Sequence, residues 1–135
     1  MRHQKHNKKF GRSMAHRAAL VSTLVASLVK NKSICTTVVK AKVARTVAEK
    51  MVTLARKGSL ASRRLVASRL RDEDAARILC TELVKTFEGR PGGYTRIVKT
   101  GARGSDGSEM AVLTWVEPLK KADDAAPEAT ATAEA

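Results

Sequence analysis

The sequence predicts an α+β fold in two layers: helix–strand–three helices–two strands, with a small mixed sheet packed on the helices. Three observations predict it. Apolar side chains recur at helical spacing in four stretches between residues 13 and 87. Residues 33–37 form a short run rich in β-branched side chains, and two further strand-like runs, 94–100 and 110–116, follow the last helical stretch. Between helices and strands, Gly89-Arg90-Pro91-Gly92-Gly93 breaks the periodicity sharply. A basic N-terminal extension, residues 1–12, precedes this body of residues 13–121. A tail, residues 122–135, follows it; rich in Ala, Thr, Pro and Glu with nothing large to bury, it is expected to be disordered and acidic.

The extension runs Arg2-His3-Gln4-Lys5-His6-Asn7-Lys8-Lys9-Phe10-Gly11-Arg12. With one apolar side chain, Phe10, it cannot fold alone, and self-repulsion keeps it extended until a polyanion displaces its counterions. The first helix opens at Ser13, a suitable N-cap, and Leu20, Val21, Leu24, Val25, Leu28 and Val29 form its apolar side. Its other side (Ser22, Thr23, Ala26, Ser27, Lys30) is small and polar, so another backbone can approach it closely. Asn31-Lys32 ends the helix, and Ser33-Ile34-Cys35-Thr36-Thr37 is a strand.

A second helix spans 38–57, closed by Gly58, with an apolar stripe of Val39, Val43, Val47, Met51 and Leu54. Lys42, Arg45, Thr46, Glu49, Thr53 and Arg56 occupy the opposite arc, where Arg45 and Glu49 can pair at i, i+4. A third helix, 59–70, starts at Ser59 and exposes Arg63, Arg64 and Arg69. Asp72 caps a fourth, to about residue 87, with Glu73 and Asp74 suited to its first turn. Matched charges, Glu73 with Arg77 and Glu82 with Lys85, point that helix at solvent or protein rather than phosphate. The closing strands are joined by a Gly/Ser loop carrying Arg103.

A chain of 135 residues suits one domain and buries enough surface to fold without disulfides or metal. Hydrophobic residues make up 43% and aromatics 3%, so the expected core is Val, Leu, Ala, Ile and Met. Cys35 and Cys80, far apart and without a partner motif, are expected as reduced core thiols of a cytosolic protein. No apolar run is long enough to span a membrane, and no apolar core with a cleavage site follows the basic start, so no signal peptide is expected.

The net charge is +13, and its position is more informative than its sum. Residues 1–48 hold eleven Lys or Arg and no acid; residues 49–135 hold fifteen and all thirteen acids. Without the acidic tail, residues 1–121 carry 26 basic and nine acidic residues, a net +17. Such an excess attracts a phosphate-rich polymer. Catalytic chemistry is not expected. His3, His6 and His16 lack the company of a zinc site, no Gly-rich loop carries Lys with Ser/Thr, and no two acids converge for acid–base work. The chain therefore reads as a non-enzyme with no cofactor, metal or small-molecule substrate. Charge alone does not separate RNA from DNA, and a nucleoid-type DNA-binding protein is the alternative. That class needs paired β-arms or a groove-reading helix, and neither is evident. A small metal-dependent hydrolase is a distant third.

Three blocks then carry a resemblance. The first is Met1-Arg2-His3 leading to His16-Arg17-x-Ala19. The second is Ile34-x-Thr36-Thr37-x-x-Lys40-Ala41-Lys42 followed by Glu49-x-Met51-Val52-Thr53-Leu54-Ala55. The third is Gly92-Gly93-Tyr94-Thr95-Arg96-Ile97-x-Lys99-x-Gly101-x-Arg103-x-x-Asp106, with Met110-Ala111 beyond. Across about residues 1–117 the chain resembles the family of bacterial large-subunit ribosomal proteins numbered seventeen. The resemblance implies a cytoplasmic, ribosome-bound structural component that binds large-subunit ribosomal RNA beside neighbouring ribosomal proteins, with no membrane partner. Two departures stand out: Ser22-Thr23 and Asn31-Lys32 replace the Arg-Asn and His-Glu frequent in relatives. They predict that one RNA contact on the back of the first helix is lost or replaced.

Charge and resemblance together assign the candidate RNA contacts. Arg2, Lys5, Lys8, Lys9, Arg12 and Arg17 are expected on phosphates, and neutral His3 and His16 on bases by stacking or hydrogen bonding. Lys40, Lys42 and Arg45 extend the surface along the second helix; Arg96, Lys99 and Arg103 extend it from the sheet end. Tyr94 is either a stacking platform or a core or turn tyrosine.

Overall fold

The structure, a computed structural model, describes residues 8–116. The expectations for residues 1–7 and for the tail lie outside the described residues. The chain runs α1 (Met14–Asn31), β1 (Ser33–Thr37), α2 (Val38–Ala55), α3 (Leu60–Leu70) and α4 (Glu73–Ile78). A π-helical turn (Leu79–Leu83) then leads into α5 (Val84–Thr86), β2 (Thr95–Ala102) and β3 (Glu109–Trp115). The α+β expectation holds, with each expected element in its expected order. Three helices begin at the expected caps: Ser13, Ser59 and Asp72 side chains accept the His16, Ser62 and Ala75 backbone N–H groups.

The sheet is antiparallel, not mixed, in the order β1-β3-β2. β2 and β3 form a hairpin, which fixes them antiparallel, and β1 adds to the free edge of β3. The three-helix connection from β1 to the hairpin is long enough for either direction, so local pattern did not decide it. Between Lys99 and Gly101 the register slips by a bulge, and Gly101 takes φ +103°, a conformation an L side chain resists.

α2 lies at the centre, packed against α1, α3, the π turn and the sheet. Its buried side is Ala41, Ala44, Ala48, Met51, Val52 and Ala55 rather than the expected valine stripe; Val39 is 44% exposed, and Val43 and Val47 are only partly covered. Alanines let neighbouring backbones close in, so the small residues take much of the centre and Val39, Val43 and Val47 the margins. The same logic holds on α1, where Ser22 and Ala26 are buried beneath the Leu70–Asp72 corner. Ser22 and Thr23 both donate their hydroxyls to the Ala19 carbonyl, but Ser22 is buried against protein while Thr23 stays exposed.

The core also departs from an all-aliphatic composition. Phe87, Tyr94 and Trp115 are buried together, with tilted rings 5.2 and 5.8 Å apart. Trp115 Nε1 donates to the Leu28 carbonyl at 3.0 Å. Leu28 is among the last four α1 residues, whose carbonyls lack intrahelical partners, so the indole satisfies an orphan acceptor and locks β3 to α1. The expected fourth helix is one run with a π turn inside it, where the Val84 N–H bonds the Leu79 carbonyl five residues back. Of its expected ion pairs neither forms: Arg77 lies 3.9 Å from Asp74 instead of Glu73, and no Lys85 pair occurs among the described residues. The wider turn shifts the spacing on which the Glu82–Lys85 pairing relied. Cys80 is half-buried, but Cys35 is exposed on the outer sheet face and is not a core thiol.

Candidate nucleic-acid interface

Each candidate contact must be a cation whose charge is not already spent on a local acid. The approach to α1 meets that condition. Lys8 and Lys9 are exposed, and the Arg12 N–H bonds the Lys9 carbonyl at 3.1 Å across a turn in which Phe10 and Gly11 take positive φ. Arg12 is partly buried against this turn, its Nη1 3.5 Å from the Phe10 carbonyl. His16 is exposed and Arg17 half-exposed in the opening turns of α1, which hold no acid. A helix start carries roughly half a positive charge from its free N–H groups. Cations gathered there repel one another and the dipole, so the site is stabilised by an anion such as a phosphate. Arg2, His3 and Lys5 lie outside the described residues.

On α2, Lys42 is exposed without an acid partner among the described residues, and Lys40 is half-buried. Arg45 Nε reaches Glu49 at 3.2 Å, as the spacing predicted. Glu49 also accepts the Thr95 hydroxyl at 3.1 Å, so this acid ties α2 to β2.

The sheet end is different. Arg96 is exposed without an acid partner among the described residues, but Lys99 lies 3.8 Å from Glu109. Arg103 grips Asp106 through Nε at 2.9 Å and Nη2 at 2.6 Å, and Asp106 also accepts the Ser108 hydroxyl at 2.8 Å. Arg103, then Ser108, hold the Asp106 carboxyl far below the usual carboxylate range. Arg103 thus organises the hairpin loop first. Tyr94 is 1% exposed and cannot offer its face to a base. Its hydroxyl donates to the Arg90 carbonyl at 3.2 Å and accepts from Arg56 Nη1 at 2.9 Å, while its ring packs on Phe87.

Sequence reasoning noted the α3 arginines and assigned them nothing. Arg63, Arg64 and Arg69 are exposed and have no ion pair among the described residues. The signal was available: residues 50–71 hold seven Lys or Arg and no acid, a run hidden when charge is summed over residues 49–135. Lys50 and Arg69 line an open groove between α2 and α3 with Arg45. No helix among the described residues is long and apolar enough to cross a membrane, and no group of three metal-ligating side chains occurs among them.

Comparison with known proteins agrees with the motif blocks. The model of the family described as ribosomal protein L17 matches residues 20–116. A large ribosomal subunit protein bL17 of Methylacidiphilum infernorum is 49% identical over 117 residues, covering 87% of this chain and 89% of that protein. The bL17 of Azorhizobium caulinodans is 45% identical over 133 residues, covering 98% and 96%. That of Myxococcus xanthus is 42% identical over 134 residues, covering 99% and 96%. At this identity and coverage, over a fold with the expected element order, the chain belongs to the ribosomal protein L17 family.

Proposed function

We propose that this chain is a structural constituent of the large ribosomal subunit, acting in the cytoplasm and supporting translation by binding large-subunit ribosomal RNA beside neighbouring subunit proteins. The observation that carries the reading is the acid-free cluster of Lys8, Lys9, Arg12, His16 and Arg17 around the positive end of α1. The names of the relatives, large ribosomal subunit proteins, support the same assignment. Binding is static. Phosphates neutralise the extension and the start of α1, Lys42 and Arg96 add contacts, and the α1–α2 packing holds those groups in register. The chemistry is ionic and needs neither nucleophile nor cofactor.

Sedimentation of a lysate tests this directly. The protein is expected with the large subunit, and recovery free at the top of the gradient or with chromosomal DNA would reject the assignment.

A further inference from the structure

The α3 arginines remain unused by this reading. Residues 50–71 carry seven basic residues over 22 positions, a denser unmatched charge than the six over 36 positions of residues 13–48. Their placement forms a pattern. Arg69 faces the open groove toward α2, whose other cations are Arg45 and Lys50. Arg63 and Arg64 face a second open groove toward α4, where Arg77 is held 3.9 Å from Asp74. Each groove holds one acid. Glu49 is already engaged by Arg45 and Thr95, and Glu73 is left against Arg63 and Arg64. Between the two rows the crest of α3 carries Leu60 63% and Leu65 39% exposed beside Ala61 and Ser68, with one arginine, Arg64, set between Leu60 and Ser68 at i, i+4 spacing.

We infer that α3 is a second RNA-contacting ridge, seated across a base-paired segment with the two phosphate backbones lying along its two cationic grooves. This rests on the RNA-binding reading above and adds to it a second contact of different kind. An α-helix with side chains is roughly 10–12 Å across. A-form RNA presents a wide, shallow minor groove flanked by its two backbones, and proteins read it by shape and phosphate contact. A crest of small and apolar side chains around a single arginine suits the shallow groove floor, and the cation rows beside it suit its edges. A protein partner covering Leu60 and Leu65 would strand three arginines unless it supplied matching acids; a duplex supplies anions on both sides. The approach to α1, by contrast, gathers its cations around a single helix start and suits any phosphate chain.

The test uses the full chain, an RNA duplex of about 16 base pairs and one of its single strands, with affinity measured across a salt series. Replacing Arg63, Arg64 and Arg69 by Gln is expected to lower the salt slope on the duplex by about three, one per lost phosphate contact. On the single strand, held by the extension, the slope should change by less than about one. The Arg→Lys triple variant keeps the charges and should retain the parental duplex slope. Should the Gln triple variant melt below the parent, Arg63→Gln and Arg69→Gln, one per groove, replace it, each lowering the duplex slope by about one. An unchanged duplex slope, or equal losses on duplex and single strand, would overturn the ridge. A parent with a flat salt response on both RNAs would reject the RNA-binding reading itself.

Discussion

Residues 8–71 carry sixteen Lys or Arg against one acid, while residues 72–116 carry six against seven. Ion pairing widens the contrast. Among the described residues, of the sixteen only Lys30 and Arg45 form pairs; of the six, Arg77, Lys99 and Arg103 do. The first region has charge to give to a polyanion. The second has spent much of its charge internally, on the start of α4 and on the hairpin loop. An arginine bidentate to a carboxylate offers little to a phosphate without first breaking its own pair. A basic residue count therefore overstates the charge left available at the sheet end and understates it on α3.

The largest expected effect is on the whole first region at once. With roughly six to ten phosphates neutralised, affinity for ribosomal RNA should fall about 10³–10⁵-fold between 50 and 200 mM salt, measured by filter binding. Removing residues 1–12, which hold five Lys or Arg, should lower that slope by about one per cation and leave the circular dichroism of the body unchanged. Removing 122–135 should alter neither. A nearly flat response would break the contrast between the regions at its root.

Next in size is the bond that joins them. Trp115→Ala should destabilise the protein by about 3–5 kcal/mol in denaturant unfolding, through the vacated aromatic cluster. Trp115→Phe keeps a six-membered aromatic ring but loses the fused pyrrole with its N–H, so it should cost less, about 1–3 kcal/mol, mostly for the orphaned Leu28 carbonyl. Equal losses in the two variants would show that the indole N–H bond, and not the filled volume, carries the contribution there.

Smaller still is a charge-matched pair of variants. Lys42→Glu with Arg45→Glu and Arg77→Glu with Lys85→Glu each shift the formal charge by the same amount. The first should weaken RNA binding by roughly 1 kcal/mol or more per lost contact, with Lys42→Glu alone responsible for most of it because Arg45 is shared with Glu49. The second should be milder, since the exposed Arg77–Asp74 pair is worth only about 0.2–0.5 kcal/mol. Equal weakening by titration would mean that the partner senses total charge alone.

The smallest effect is on acid stability. Asp72, through the Ala75 N–H and then Lys30, and Asp106, through Arg103 and then Ser108, both titrate below the ordinary carboxylate value. Carboxyls lowered in the folded state stabilise fully above their unfolded pKa, and that contribution is lost as pH falls through the folded one. Thermal melting should thus be insensitive to these groups down to about pH 4 and decline below it. In Asp106→Asn part of that acid decline should vanish; an unaltered profile would detach the hairpin loop from acid stability.

Element by element, the local chemistry of the chain was enough for most of the fold. Ser13, Ser59 and Asp72 announced helix starts, Gly58 a stop, and 33–37 a strand, because capping and β-branched stiffness act within a few residues. The charge asymmetry and the motif blocks were legible for the same reason. What only the tertiary structure decided was non-local. The direction of β1 depended on which hairpin edge it met, and the buried side of α2 on which neighbours needed close approach. Tyr94 left the candidate interface because Phe87 and Arg56 supplied it with a core and a donor. Arg103 and Lys99 were spent on Asp106 and Glu109, three and ten residues away, because a folded loop and a strand register brought the charges together. Composition states how many charges a chain has, and packing decides which of them remain available to a partner.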